Sequence, residues 1–186
     1  MSFFETNPKP LKLLLTQIHN GELALPDFQR DFVWDPSAIE ELIESIMRNY
    51  PAGSLLFLKH GGEGFQVREF EGAPILKSQM GTSYLVLDGQ QRMTSLYQAF
   101  YGKGEHRFFL DIKELMESGD IEAAVWHESE KRCQRQGLLK IENQAEKLIC
   151  PLQVVMGEGF DSWIDSIMDL RPEKAESAKE LRAQLR

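Results

Sequence analysis

The residues best suited to chemistry are five consecutive ones, Asp88-Gly89-Gln90-Gln91-Arg92, which follow a short apolar run and begin an amphipathic segment. A strand that turns directly into a helix leaves the first backbone N–H groups of the helix unpaired and pointing outward. Those donors and the helix dipole favour an anion such as phosphate. Gly89 permits a positive φ angle and removes a side chain from the approach path, while the two glutamines add amide groups. The segment therefore predicts a phosphate-binding turn.

The position of Arg92 in the first turn of the predicted helix supports this prediction. A cation there opposes the helix dipole at a cost of about 0.3–1 kcal/mol, whereas a bound phosphate would accept a forked contact from it. Thr94 and Ser95 follow in the next turn and can add hydroxyl contacts. Asp88 ends the strand, where a carboxylate can hold a divalent cation or orient a water. The alternative is an ordinary Asp-Gly turn in which Arg92 meets a surface carboxylate.

A second polar pair, Gln29 and Arg30, stands between aromatic residues earlier in the chain. Phe32 and Trp34, which follow it, are expected in the core because large aromatic side chains usually bury. Gln29 and Arg30 can then reach a ligand near the edge of the sheet. The alternative is a salt bridge to one of the two neighbouring aspartates.

Alternating apolar runs and amphipathic segments must position these residues, and they predict an α+β fold with a mixed sheet of four to six strands. Strands are predicted at 23–28, 54–59, 65–70, 84–87 and 107–112, the second of them buried on both faces. Helices are predicted at 11–18, 36–49 and 90–101. Asp35 suits the N-cap of the middle helix, with Pro36 at its first position. Beyond residue 113 the pattern is mostly helical, with a helix at 160–170 and either a strand or a loop at 148–152.

The composition predicts a soluble protein without a large basic surface. The formal net charge is −8, and acidic side chains outnumber basic ones both before and after residue 110. Autonomous binding to duplex DNA is not expected, because it normally requires many Lys and Arg side chains that release counterions. No apolar run can span a bilayer and the first residues carry no secretion signal, so we expect a cytoplasmic protein without a membrane partner. Cys133 and Cys150 lack zinc-site spacing and are expected to be reduced, buried thiols.

Three segments together resemble a known family: LPDFQRDFVWDP at 25–36, IEELIESIMRNYPAGSLLFL at 39–58 and YLVLDGQQRMTSLY at 84–97. Through about its first 110 residues the chain is similar to the DGQQR-signature domain at the N-terminus of GmrSD-like type IV restriction enzymes and related phage-defence proteins. The resemblance implies a ParB/sulfiredoxin-like domain at 1–112. It provides no anchor for a mostly helical extension at 113–186, which we expect to lead into a further C-terminal region.

The resemblance also implies roles for the residues singled out above. In the ParB/sulfiredoxin superfamily the strand–Gly-x-x-Arg–helix element binds nucleotide phosphates, which implies phosphate binding by Gly89 and Arg92 with both glutamines beside them. In the DGQQR family this element is associated with nucleoside triphosphate hydrolysis, which implies a catalytic or Mg²⁺-binding role for Asp88. The Phe-Gln-Arg segment at 28–30 is expected to line the same cleft. Sulfiredoxin activity is not expected, since Gln90 stands where that chemistry needs a cysteine.

Two functions from different classes remain open. The first is a domain that binds and hydrolyses a nucleoside triphosphate with Mg²⁺ or another divalent cation, and so regulates a DNA-restriction nuclease. The His-Asn-His cluster of such nucleases is absent from the sequence, so the nuclease would be a C-terminal or separate module and DNA would be met only through the full system. The alternative is a non-hydrolysing ParB-like module that clamps a nucleotide or DNA phosphate. Direct nuclease action is a weaker third option, and the sequence leaves a homo-oligomer open.

Overall fold

The computed structural model describes residues 8–59, 66–76, 81–156 and 159–184. Within these ranges the chain forms helices around two small sheets, which confirms the predicted α+β class. The first sheet has the order β2-β4-β1-β3, and it is mixed because β1 and β4 are parallel while the other pairs are antiparallel. Its strands are β1 (Leu23–Pro26), β2 (Leu56–Lys59), β3 (Val67–Arg68) and β4 (Tyr84–Asp88).

The second sheet is antiparallel and has the order β6-β5-β7. Its strands are β5 (His106–Asp111), β6 (Val125–Ser129) and β7 (Ile149–Pro151). The strand predicted at 107–112 therefore does not join the first sheet, and β7 decides for a strand over a loop at 148–152. The sheet also crosses the predicted boundary after residue 112, because its central strand precedes that residue and both outer strands follow it. The division into 1–112 and 113–186 stays a prediction.

The three predicted N-terminal helices are α1 (Leu11–His19), α2 (Pro36–Met47) and α3 (Gln90–Tyr101). Asp35 caps α2 as its sequence predicts, since its carboxylate accepts a hydrogen bond from Ala38 N at 3.0 Å. The helices that follow are α4 (Ile112–Glu117), α5 (Ile121–Ala124), α6 (Glu130–Gln136), α7 (Ile141–Lys147), α8 (Leu152–Val155), α9 (Gly159–Leu170) and α10 (Ala175–Gln184), with a 3-10 helix at Pro172–Lys174. In the described part of the chain, none of these helices is long and apolar enough to cross a membrane.

Helix α3 is the central helix of the protein. From Gln90 to Phe100 every residue except Arg92 is buried, which is the pattern of a helix covered on all sides rather than on one face. Its apolar side chains belong to one core cluster that extends along the chain from Leu14 to Leu181 and includes residues of both sheets. The N-terminus of α3 is thus fixed in place from several directions.

The prediction that β2 is buried on both faces is wrong. Among the described strands β2 comes first in the sheet order and pairs only with β4, and its residues are half-buried or exposed, with Leu56 48% exposed. A continuous apolar run does not by itself distinguish a central strand from an edge strand. The edge position brings the segment before β2 beside the end of β4, where the predicted turn lies.

Candidate functional site

The turn between β4 and α3 has the geometry that its sequence predicts. β4 ends at Asp88, and Gly89 follows with φ 94° and ψ 11°, in the left-handed region that favours glycine. A Cβ atom at Gly89 would also overlap Leu55 Cδ2, so glycine is required both for the backbone angle and for the packing. The N–H groups of Gln90, Gln91 and Arg92 find no acceptor within the described ranges. They are the open donors of the helix N-terminus.

These donors lie at an open cavity of about 380 Å³. Both the turn and the Phe-Gln-Arg segment line the cavity, so the structure brings together most of the predicted site residues. The lining residues are Phe28, Gln29, Arg30, Trp34, Leu87, Asp88, Gly89, Gln90, Gln91 and Arg92.

The side chains of Gln90 and Gln91 connect the turn to the segment 30–33. Gln91 Nε2 donates to Asp31 O at 3.0 Å, and Gln91 Oε1 accepts from Val33 N at 2.9 Å. Gln90 Nε2 donates to Arg30 O at 2.6 Å. Both glutamines are 7% exposed. Their side-chain amide groups therefore hold the loop. The groups of these two residues that stay available to a ligand are the backbone N–H groups.

Two further side chains complete this attachment, and we call the whole set of contacts the loop clamp. Gln29 Nε2 donates to Val86 O at 2.7 Å and to Leu87 O at 3.0 Å, which ties the loop to the end of β4. Arg68 Nη2 donates to Gln29 O at 3.1 Å and to Arg30 O at 2.9 Å from β3, the edge strand that pairs with β1. The clamp fixes the backbone on both sides of Arg30.

Arg92 is largely occupied by contacts with the protein. Its guanidinium donates to Ala52 O at 2.7 Å, to Ser54 O at 2.8 Å and to Asp88 Oδ2 at 3.3 Å. Gly53 has φ 87°, and a Cβ atom there would overlap Arg92 Nη1. Arg92 thus holds the segment before β2 against the turn, and its contact with Asp88 is the surface ion pair of the alternative interpretation. Because the Asp88 side chain is 68% exposed, this pair leaves the carboxylate accessible.

Arg30 lines the same cavity and is exposed. Its guanidinium makes no hydrogen bond or ion pair with any residue in the described parts of the chain, so the alternative of a salt bridge to a neighbouring aspartate is not seen there. A cation fixed by its backbone and without an acidic partner is available to a bound anion.

Residues 11–179 match the family described as GmrSD restriction endonuclease, N-terminal domain. The chain belongs to this family. The match confirms the resemblance seen in its first 110 residues and extends it through most of the segment for which the sequence motifs gave no anchor. The chain is also 34% identical over 187 residues to the uncharacterized protein MJ0686 of Methanocaldococcus jannaschii, covering 89% of this chain and 32% of that relative. It spans about a third of the relative's length.

In this GmrSD N-terminal domain the two hydroxyl residues of the second helical turn lie behind the cavity. Thr94 is 1% exposed, and its Oγ1 donates to Gln90 O at 2.9 Å. Ser95 is fully buried, and its Oγ has no hydrogen-bond partner among the described residues. Neither lines the cavity, so their ligand contacts stay a prediction that this geometry does not support.

The donor set of the cavity fits Mg²⁺ only in company with a phosphate ligand. Across the described ranges no group of three or more His, Cys, Asp or Glu side chains is placed to hold a metal ion. Asp88 is the single carboxylate that lines the cavity there. Mg²⁺ commonly takes one or two carboxylates and fills its remaining positions with water and substrate phosphates, which one exposed aspartate permits.

The two cysteines take no part in the site. Both are free and buried, as predicted, and burial raises the pKa of each thiol, that of Cys150 strongly. A thiol whose pKa is raised stays protonated and is a poor nucleophile.

Several residues that build the site were not singled out from sequence. Arg68 lies in a short strand with no motif around it, and Leu55 is one residue of an apolar run. The one available signal was Gly53, in the sequence Pro-Ala-Gly-Ser at 51–54, since a glycine next to a predicted strand often marks a close backbone approach.

Proposed function

We propose that this domain binds a nucleoside triphosphate at the cavity of the 88–92 turn. One observation carries the proposal: a single cavity is lined by Gln90, Gln91 and Arg92, whose backbone N–H groups have no acceptor among the described residues, and by Arg30, whose guanidinium has no partner there either. Helix N-termini bind phosphate through such donors, and an arginine adds a charged, forked contact. In this proposal Gln90 and Gln91 meet the phosphates through their backbone, while Arg92 supports the turn and offers its remaining donors.

We further propose that the bound nucleotide is hydrolysed with Mg²⁺ or another divalent cation and that this regulates a restriction nuclease. A divalent ion would neutralise charge on the phosphates, and Asp88 is the side chain placed to hold it or to orient water. The family supports the link to restriction, and the relative's greater length leaves room for a nuclease module outside this chain. DNA would be met through that module, because this chain carries a formal net charge of −8.

The test is a panel of nucleoside triphosphates with Mg²⁺, measured for binding by calorimetry and for hydrolysis by phosphate release. Arg30→Ala should weaken binding by about tenfold or more, since one charged hydrogen-bonding contact contributes about 1.5–3 kcal/mol. Asp88→Asn keeps the shape of the side chain and should bind nearly as well while hydrolysing more slowly. Tyr50→Ala, an exposed aromatic residue outside the cavity, is the control. Parent affinity for all triphosphates weaker than millimolar would contradict the proposal.

A second candidate function is binding without turnover. The observation that favours it is the single carboxylate at the cavity, with no histidine among its described lining residues to act as a base. The parent chain should then bind a triphosphate tightly and release no phosphate, both by itself and with its nuclease module added. This result would decide for binding without turnover.

A further inference from the structure

A second cavity, of about 270 Å³, lies next to the first. Trp34 lines both cavities, so its side chain stands between them. Phe32 and Phe108 add two more aromatic rings to the second cavity, and Phe32 belongs to the clamped loop. A molecule that lies on the 88–92 turn and extends past Trp34 would therefore enter a space with aromatic walls.

The two cavities differ in charge. Arg30 and Arg92 line the first together with one acidic residue. Glu71 and Glu105 line the second, where the described lining residues include neither Lys nor Arg. A polyphosphate is attracted to the first cavity and repelled by the second, whereas an uncharged ring is not excluded from the second.

Polar groups are also present at the edge of the second cavity. Gln98 is buried, and its Nε2 donates to Glu71 O at 3.3 Å. Its Oε1 rests against Gly104, where a Cβ atom would stand 2.6 Å away. Burial and the nearby His127 lower the pKa of His106, so its imidazole is neutral at pH 7 and offers one donor and one acceptor. Aromatic faces combined with fixed hydrogen-bonding groups are what recognises a nucleobase.

We infer that this second cavity is the base-binding subsite of the domain: the base of the nucleotide stacks at Trp34, and Gln98 and His106 contact its edge. This inference rests on the proposed function, because it places the phosphates of the same ligand on the 88–92 turn. It assigns base selection to residues outside the signature motif.

The experiment compares inorganic tripolyphosphate with the four common nucleoside triphosphates by calorimetry on the full chain. The parent should bind its preferred nucleoside triphosphate about tenfold or more tighter than tripolyphosphate, because stacking of one base strengthens binding by about that factor or more. Trp34→Leu should remove most of this difference while leaving tripolyphosphate affinity within about twofold. His106→Ala should reduce the preference among the four bases. Tyr50→Ala should match the parent with every ligand.

Each other outcome overturns the inference in a distinguishable way. Equal parent affinity for tripolyphosphate and all four nucleotides would remove the base subsite and leave the phosphate site standing. The base subsite would also be removed if Trp34→Leu lowered the affinity for both ligand types equally and His106→Ala kept the base preference of the parent. If neither ligand type binds the parent, the proposed function is wrong, and this inference is wrong with it. Should Trp34→Leu lose the circular dichroism spectrum of the parent, the base preference of His106→Ala decides alone.

Discussion

Replacement of Gln91 by leucine tests whether the glutamines of the turn hold the loop. The substitution keeps a side chain of similar size and removes two hydrogen bonds, to Asp31 O at 3.0 Å and from Val33 N at 2.9 Å. Both bonds are partly buried, and each contributes about 1–1.5 kcal/mol net. We therefore expect the free energy of opening of the loop at 30–33 to fall by about 2–3 kcal/mol.

Hydrogen exchange at the amide of Val33 measures this change directly, because Gln91 Oε1 is the acceptor of that N–H. A loss of about 2–3 kcal/mol corresponds to exchange about 30- to 150-fold faster. Gln91→Glu is the matched control, since a carboxylate oxygen can still accept from Val33 N while the donor to Asp31 O is lost. Protection in this control should lie between that of the parent and that of Gln91→Leu.

The same variant separates a clamping role from direct ligand contact. If Gln91 acts through the loop, triphosphate affinity should fall together with the protection of Val33, because the backbone of Arg30 loses its fixed position. If the hydrogen-exchange rate of the Val33 amide is unchanged in Gln91→Leu, Gln91 does not hold the loop and its place in the loop clamp is refuted. Unchanged exchange combined with a large loss of affinity would instead show that the amide meets the phosphate directly.

Three other predictions follow from contacts of the described chain. Gly89→Val should destabilise the folded protein by at least about 2 kcal/mol, because valine disfavours φ 94° and its Cβ would overlap Leu55; an unchanged denaturation midpoint would contradict this. Burial, and secondarily Tyr101, raises the pKa of Tyr97 from 10.0 to about 12, so the folded state keeps this proton to higher pH than the unfolded state. Stability should fall by up to about 2–3 kcal/mol as pH rises from 10 to 12, and denaturant titrations of Tyr97→Phe should lack this slope. Plain duplex DNA should bind this chain negligibly at physiological salt, which a submicromolar dissociation constant in a salt titration would disprove.

The turn was predictable because its determinants are adjacent in sequence. An apolar strand, a glycine and an amphipathic helix follow one another within 84–101, and each local preference agrees with the observed geometry. The cap of α2 was predictable for the same reason, since Asp35 and Pro36 are neighbours. Local signals of this kind do not depend on where the rest of the chain lies.

The partners of the signature side chains were not predictable in this way. Gln90 and Gln91 bond to residues about 60 positions earlier, and Arg92 bonds to carbonyls 38 and 40 positions earlier. The sequence of such a turn does not show whether the amide of a glutamine in it faces a ligand or the protein. The missed strand β6 has a similar cause, because its sequence Val-Trp-His-Glu-Ser lies between polar helices and becomes a strand through its pairing with β5.

In residues 88–92 the side chains and the backbone have different roles. The side chains of Gln90 and Gln91 hold the loop and that of Arg92 holds the segment before β2, while the backbone N–H groups of these three residues have no acceptor among the described residues. In the proposed function these backbone donors would supply phosphate affinity without base selectivity, because they cannot distinguish one nucleotide from another. Base selectivity would then depend on the second cavity, which the loop lines through Phe32 and Trp34, beside Gln98 and His106. A change in the two glutamines should therefore alter which nucleotide is bound as well as how tightly.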